Sequence, residues 1–237
     1  MPGNTNKKIL VAGASGVIGR KLCSLLVDDG WQVSGTTRSP EKAAGLRVLG
    51  VEPVVVDVFD ENALLRAVAR AQPDILIHQL TDLPPGLAPA KMIEGRVRNA
   101  RIRDIGTRNL IAAALACGVK RMVVQSIAFA YGPGPLPHRE ESPLGAASLA
   151  SFEQQVLDAA LVGIILRYGK LYGPGTGFDT APSDGPVHVD AAADAARLAV
   201  TRGQAGIYNI AEEDGTVSSQ KAIRELGWNA GVRFGNS

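Results

Sequence analysis

Lys8-Ile9-Leu10-Val11-Ala12-Gly13-Ala14-Ser15-Gly16-Val17-Ile18-Gly19-Arg20 is the stretch whose reading decides the fold. The apolar run from Ile9 to Ala12 predicts a buried parallel strand. Gly13, Gly16 and Gly19 follow, and Val17, Ile18, Leu22, Leu25 and Leu26 then recur at helical spacing up to a stop near Gly30. Strand, glycine turn and helix in this order form a cradle for a pyrophosphate. Gly13 makes the tight turn, Gly16 lets phosphates approach the backbone, and Gly19 lets the helix pack close to the strand. The helix N-terminus directs free N–H groups and a partial positive charge at the ligand. Ala14, Ser15, Val17 and Ile18 complete the predicted contact set of the turn.

Outward from this unit, strand and helix patterns alternate. Strands are predicted at 32–37, 51–58, 74–79, 121–126, 162–168 and 206–210. Helices are predicted at 40–49, from the Asp60 cap to Ala71, over 91–117 as one long element, at 144–160, from an Asp190 cap to about Arg202, and at 217–226. Such alternation demands an α/β fold: a Rossmann-like, doubly wound, mostly parallel sheet with helices on both faces. One domain is expected over 1–237, with a small C-terminal substrate lobe built mainly from 131–143, 169–190 and 210–237.

Composition fits a soluble globular enzyme, with 46% hydrophobic residues, 20% charged residues and a net charge of +2. The Arg96, Arg98, Arg101 and Arg103 cluster is interleaved with apolar residues, which suits a solvated or subunit-facing helix better than a nucleic-acid surface. Cys23 and Cys117 fall in predicted helices, show no metal-ligand spacing and suggest a reducing compartment. No metal site is expected. Residues 1–6 are polar, and no apolar run is long enough to span a bilayer. A cytoplasmic protein with neither nucleic-acid nor membrane partners is expected.

The second strand ends Gly35-Thr36-Thr37-Arg38-Ser39, without the acidic residue that would accept bonds from the ribose hydroxyls of NAD. Thr37, Arg38 and Ser39 suit a 2′-phosphate instead, since arginine can hold a phosphate with two parallel hydrogen bonds. NADP is therefore the expected cofactor, with NAD as the alternative. Asp57 and Val58, after the third strand, are placed to meet the adenine through a carboxylate acceptor and an apolar contact.

These features together resemble the short-chain dehydrogenase/reductase superfamily, in its extended branch of epimerases, dehydratases and reductases. The glycine turn and Asp57-Val58 carry the resemblance in the first half of the chain. Ser126 through Tyr131-Gly132, then 166–175, Val187-His188-Val189-Asp190 and Tyr208-Asn209-Ile210 carry it in the second. The resemblance implies a nicotinamide nucleotide over the first half, reaching Leu80, Thr81, Ser126, Tyr168, Lys170 and Leu171, and a small polar substrate over the second. It also implies a monomer, or a homodimer formed through the long fourth helix.

Departures from the family pattern fall on its proton relay. The Ser or Thr expected four residues before Tyr131 is Ile127, with Ser126 one place earlier. Counting back from Glu153, the expected Tyr-x-x-x-Lys reads Gly145 and Leu149. The Asn expected three residues before Gly106-Thr107 is Arg103. Glycine and leucine can neither move a proton nor lower a phenol's pKa. Tyr131, Ser126 and His138 remain as candidate acid–base groups, and Lys170 as a group that could bind a ribose or polarise a carbonyl. Two expectations follow. One is an NAD(P)-binding oxidoreductase or epimerase-like enzyme with a non-standard proton donor, acting on an unknown small carbonyl or hydroxyl compound. The other is a non-catalytic NADP(H)-sensing protein. The short 173–186 loop leaves little room for a nucleotide-sugar.

Overall fold

The computed structural model describes residues 7–235; the polar start at 1–6 lies outside the described residues. The first strand, β1 (Lys8–Ala12), pairs in parallel with β2 (Gln32–Thr37) on one side and with the central strand β4 (Ile75–His78) on the other. With β3 (Glu52–Val55), β5 (Arg121–Ile127), β6 (Val162–Tyr168) and β9 (Gly206–Ile210), they form a seven-stranded sheet in the order β3-β2-β1-β4-β5-β6-β9. Every pairing in it is parallel. The chain builds outward to β3, then crosses back to lay β4 beside β1. Strand order reverses there, and a crevice opens at the carboxyl ends.

Alternation along β1 divides the core. Ile9 and Val11 face a layer containing α1 (Val17–Asp28) and α7 (Val189–Ala199), whereas Leu10 and Ala12 face α3 (Glu61–Ala71), α5 (Thr107–Ala116) and α6 (Ala147–Leu157). The remaining helices are α2 (Pro40–Val48), α4 (Met92–Arg101) and α8 (Gln220–Leu226). Asp60 caps α3 as expected, its carboxylate accepting the Ala63 N–H at 2.9 Å.

Several boundaries differ from the sequence reading. The third strand ends at Val55 rather than 58, because the chain turns where the Asp57 carboxylate accepts the Phe59 N–H at 3.0 Å. The helix expected over 91–117 is interrupted by a π-helical turn, Ile102–Gly106, between α4 and α5. The helix expected over 144–160 is shorter, since Gly145 N–H bonds the Ala130 carbonyl at 2.8 Å before α6 begins. Asp190 does not cap α7; His188 does, its Nδ1 accepting the Asp190 N–H at 3.2 Å.

The lobe also holds a strand pair: the sequence predicts a short extended piece at 187–189, and its partner is hidden among prolines and glycines. β7 (Lys170–Tyr172) runs parallel to β8 (Pro186–His188). Backbone bonds join this ribbon to the main sheet. Gly169 N–H donates to Ile210 O at 2.8 Å, Lys170 N–H to Gly185 O at 2.9 Å and Glu212 N–H to Pro186 O at 2.7 Å. Among the described residues, no helix is long and apolar enough to cross a membrane.

Helix α7 is buried on almost every side, packed against α1, β6 and α8. Alanines at 191, 192, 193, 195, 196 and 199 make this approach possible. Ala195→Leu should therefore overpack the layer and lower stability by about 1–3 kcal/mol, read as a reduced midpoint in urea unfolding.

Candidate active site

A cavity of about 290 Å³ lies at the carboxyl ends of β1, β2 and β4. The glycine turn supplies Gly13, Ser15 and Gly16 to its wall. Thr37, Arg38 and Ser39 come from the end of β2, Val58 from beyond β3, and Leu80 and Thr81 from beyond β4. Lys42, Phe59, Gln79 and Ile102 also line it and were not legible in the sequence, because no spacing motif marks them.

Two of the glycines are fixed by close approach. Gly13 has φ +90°, and a Cβ on it would sit 2.8 Å from the backbone carbonyl carbon of Gln79. A Cβ on Gly19 would overlap the Gly13 carbonyl oxygen. Ala14 and Ile18 face the core and Val17 stands at the surface, so these three do not line the cavity. The helical turn that presents Ser15 and Gly16 outward necessarily points its opposite side at the sheet.

This wall fits a dinucleotide. Gly16 precedes α1 without a side-chain cap, and the first turn holds no acidic residue, so among the described residues no capping side chain takes up the N-terminal N–H groups. Gln79 donates from Nε2 to the Tyr168 hydroxyl at 3.3 Å, while its Oε1 is buried without a partner. An orphan acceptor on a cavity wall suits a hydroxyl or amide donor on a ligand. Arg38 meets Asp82 at 3.3 Å, and Asp82 also lies 3.6 Å from Arg98, so a 2′-phosphate would draw Arg38 from this exposed pair. Asp57 is exposed and outside the cavity wall, its carboxylate turned back to the Phe59 N–H.

The expected acid–base groups are absorbed into a buried network away from the cavity. Tyr131 donates to Asn209 Oδ1 at 2.6 Å, accepts from Arg167 Nη1 at 2.8 Å, and stacks on His138 at 4.9 Å. Burial raises its pKa, and the Arg167 charge opposes that rise only in part. Ser126 Oγ donates to Glu153 Oε1 at 2.6 Å. Glu153 also receives Arg167 Nε at 2.9 Å and Nη2 at 2.6 Å, and both partners of this ion pair are buried. The Tyr168 phenol is pushed up by burial. Lys170 Nζ bonds Ser183 O at 3.0 Å and meets Asp184 at 3.3 Å, and Leu171 packs against the core. None of Tyr131, Ser126, His138, Tyr168, Lys170 or Leu171 lines the cavity. Arg167 organises the network and escaped the sequence reading, although an arginine inside the apolar strand 162–168 signals a buried carboxylate partner.

The model of the NAD dependent epimerase/dehydratase family matches residues 9–185. The chain belongs to this family. A member from Streptomyces sp., 3-diazoavenalumate denitrifying reductase, is 36% identical over 236 residues, covering 92% of this chain and 72% of that protein. The 2-alkyl-3-oxoalkanoate reductase of Stenotrophomonas maltophilia is 35% identical over 185 residues, and there the match spans about half, 52%, of the relative. Among solved structures, UDP-glucose 4-epimerase of Thermotoga maritima superposes with a TM-score of 0.79 at 19% identity, covering 95% of this chain and 94% of the other. The Thermus thermophilus UDP-glucose 4-epimerase, in complex with NAD, gives 0.77 at 22% identity, covering 96% and 95%. At these identities the structural likeness carries the fold. This family member is an NAD(P)-dependent enzyme of the oxidoreductase or epimerase-like kind.

Leu149 is buried in the core, and Gly145 precedes α6 with its N–H on the Ala130 carbonyl. Gly19→Ala should abolish NADPH binding, because the Gly13 carbonyl and the first turn of α1 must both move; fluorescence titration of NADPH checks this. His78 gives a pH prediction. Its Nδ1 accepts the Leu80 N–H at 3.2 Å, and its Nε2 meets Thr107 Oγ1 at 3.1 Å. Burial first, and the Arg103 charge second, push its pKa from 6.5 down to about 3. The unfolded chain therefore takes up a proton below pH 6.5 that the folded chain refuses. The resulting loss, at most about 1.4 kcal/mol per pH unit, accumulates as pH falls toward 3. Urea unfolding of His78→Gln should show a shallower pH dependence than wild type in that window.

Proposed function

We propose that the chain is an NADPH-dependent reductase whose hydride acceptor needs no proton from the protein. One observation carries this reading: the dinucleotide cradle keeps its glycine turn, whereas the two positions that the family pattern gives to the proton relay read Gly145 and Leu149. A dehydrogenase acting on an alcohol, or a reductase acting on a ketone, has to move a proton at the substrate oxygen. Glycine and leucine cannot do so, and Tyr131 is held by Asn209 and Arg167.

The chain's own residues have clear tasks in this scheme. The turn from Gly13 to Gly19 and the first turn of α1 hold the pyrophosphate. Arg38, with Thr37 and Ser39, takes the 2′-phosphate once Asp82 lets it go. Val58 and Leu80 flank the adenine side, and the Gln79 carboxamide oxygen accepts a bond from a ligand hydroxyl or amide. The cofactor, when bound, supplies the hydride. An aryl diazonium group is an acceptor of the required kind, and the name of the 36%-identical Streptomyces reductase points to nitrogen-losing substrates of that class. Hydride brings the electron pair of the new C–H bond, the C–N pair leaves with dinitrogen, and no oxygen has to be protonated.

Two measurements test the proposal. Arg38→Ala should weaken NADPH binding about tenfold or more and leave NADH binding nearly unchanged, since a charge-assisted phosphate contact is lost. Equal losses for both nucleotides would remove the case for the phosphate pocket. NADPH oxidation, measured above the enzyme-free rate, should be faster with 4-carboxybenzenediazonium than with an aryl ketone. Tight NADPH binding without turnover of either acceptor would overturn the reductase assignment.

A further inference from the structure

Arg103 leaves its helix within the π-helical turn, where an extra residue re-aims the side chains that follow. Ile102 of the same turn lines the cavity. Arg103 is directed toward α6, its Cζ 5.9 Å from the centroid of the Phe152 ring. The guanidinium is part-buried, and burial lowers its pKa while the nearby Glu153 charge works against that shift. Among the described residues it takes part in no ion pair, although every other arginine on α4 and α5 that forms one does so at the surface.

Glu153 does not answer for it. Its carboxylate already receives Ser126 Oγ and two nitrogens of Arg167. Arg167 thus takes up the Glu153 carboxylate, and the second carboxylate of the network, Glu140, is turned to the Asn209 N–H at 2.9 Å, so neither is in contact with Arg103. A ring contact near 6 Å offsets little of the cost of withdrawing such a cation from water. The place of this charge is informative. The Phe152 ring meets His78 edge-on at 6.5 Å, and His78 is followed by Gln79, whose buried Oε1 has no partner on the cavity wall. Leu149, on the same helix one turn earlier, stands where the family pattern places lysine. The cation missing from α6 is therefore supplied from the π turn facing it.

We propose that Arg103 anchors a carboxylate on the substrate, so that the protein acts on small organic acids. The planar guanidinium fork is matched to a carboxylate and held without a protein partner to release. This inference rests on the cavity being the cofactor site, and it does not depend on which group accepts hydride.

The test compares each acid with its neutral amide: cinnamate with cinnamamide, and pyruvate with pyruvamide. Binding is followed by calorimetry, with and without NADPH. Wild type should bind at least one acid about ten- to a hundredfold more tightly than its amide, the range expected of a charge-assisted pair. Arg103→Met should erase that preference, and Arg103→Lys should retain part of it. NADPH affinity should stay within about twofold of wild type in both variants. Arg103→Gln replaces the methionine variant if melting shows that it does not fold. Equal binding of acid and amide to wild type, including no binding of either, overturns the proposal. So does a preference that survives Arg103→Met, or a loss of NADPH affinity that places the cation on the cofactor's phosphates. Because binding and not turnover is read, an inert diazonium assay leaves this result standing, and failure here leaves the hydride acceptor open.

Discussion

The closeness of the β1–α1 turn to the end of β4 sets everything else in this molecule. A Cβ at Gly13 would meet the Gln79 carbonyl carbon at 2.8 Å, and Gln79 N–H in turn donates to Ala12 O at 2.8 Å. That contact exists because the chain, having built outward to β3, returns to pair β4 with β1. It aligns the N-terminus of α1 with the cavity and places Gln79 and Leu80 on the opposite wall. The cofactor half of the site is thus a by-product of strand order.

In the other half of the molecule, buried charge organises the strand ends. Where relatives in this superfamily are expected to carry tyrosine and lysine, this chain carries Gly145 and Leu149, and the polar groups nearby bind one another. Arg167, Glu153, Ser126, Tyr131 and Asn209 satisfy each other across β5, β6, β9 and α6. A buried ion pair of this kind contributes little net stability compared with apolar packing, but removing one partner costs several kcal/mol. It ties the ends of β5, β6 and β9 to α6. Arg103 lies outside that arrangement, and this is why it reads as a group waiting for a ligand.

Much of this was legible in the sequence. The strand–glycine–helix unit, the all-parallel sheet and the loops that line the cavity after β2 and β4 follow from apolar runs and the glycines between them. What the sequence leaves hidden has physical reasons. Residue type marks Tyr131, His138 and Lys170 as chemical candidates, but their hydrogen-bond partners, such as Asn209 for Tyr131, are set by the fold and leave no spacing in the sequence. The π turn breaks the helical period by a single residue, which no periodicity count resolves. β7 is three residues long and flanked by glycine on both sides, so composition alone marks it as loop.

The ribbon formed by β7 and β8 also bears on how the molecule moves. Its backbone is bonded to the exit of β9 at Ile210 and Glu212, directly where a linker between body and lobe would need free torsions. Such a joint behaves as a weld. Slow, millisecond closure of one domain on another has no pivot at this point, so entry and exit of small molecules fall to the surface loops, whose excursions take nanoseconds to microseconds.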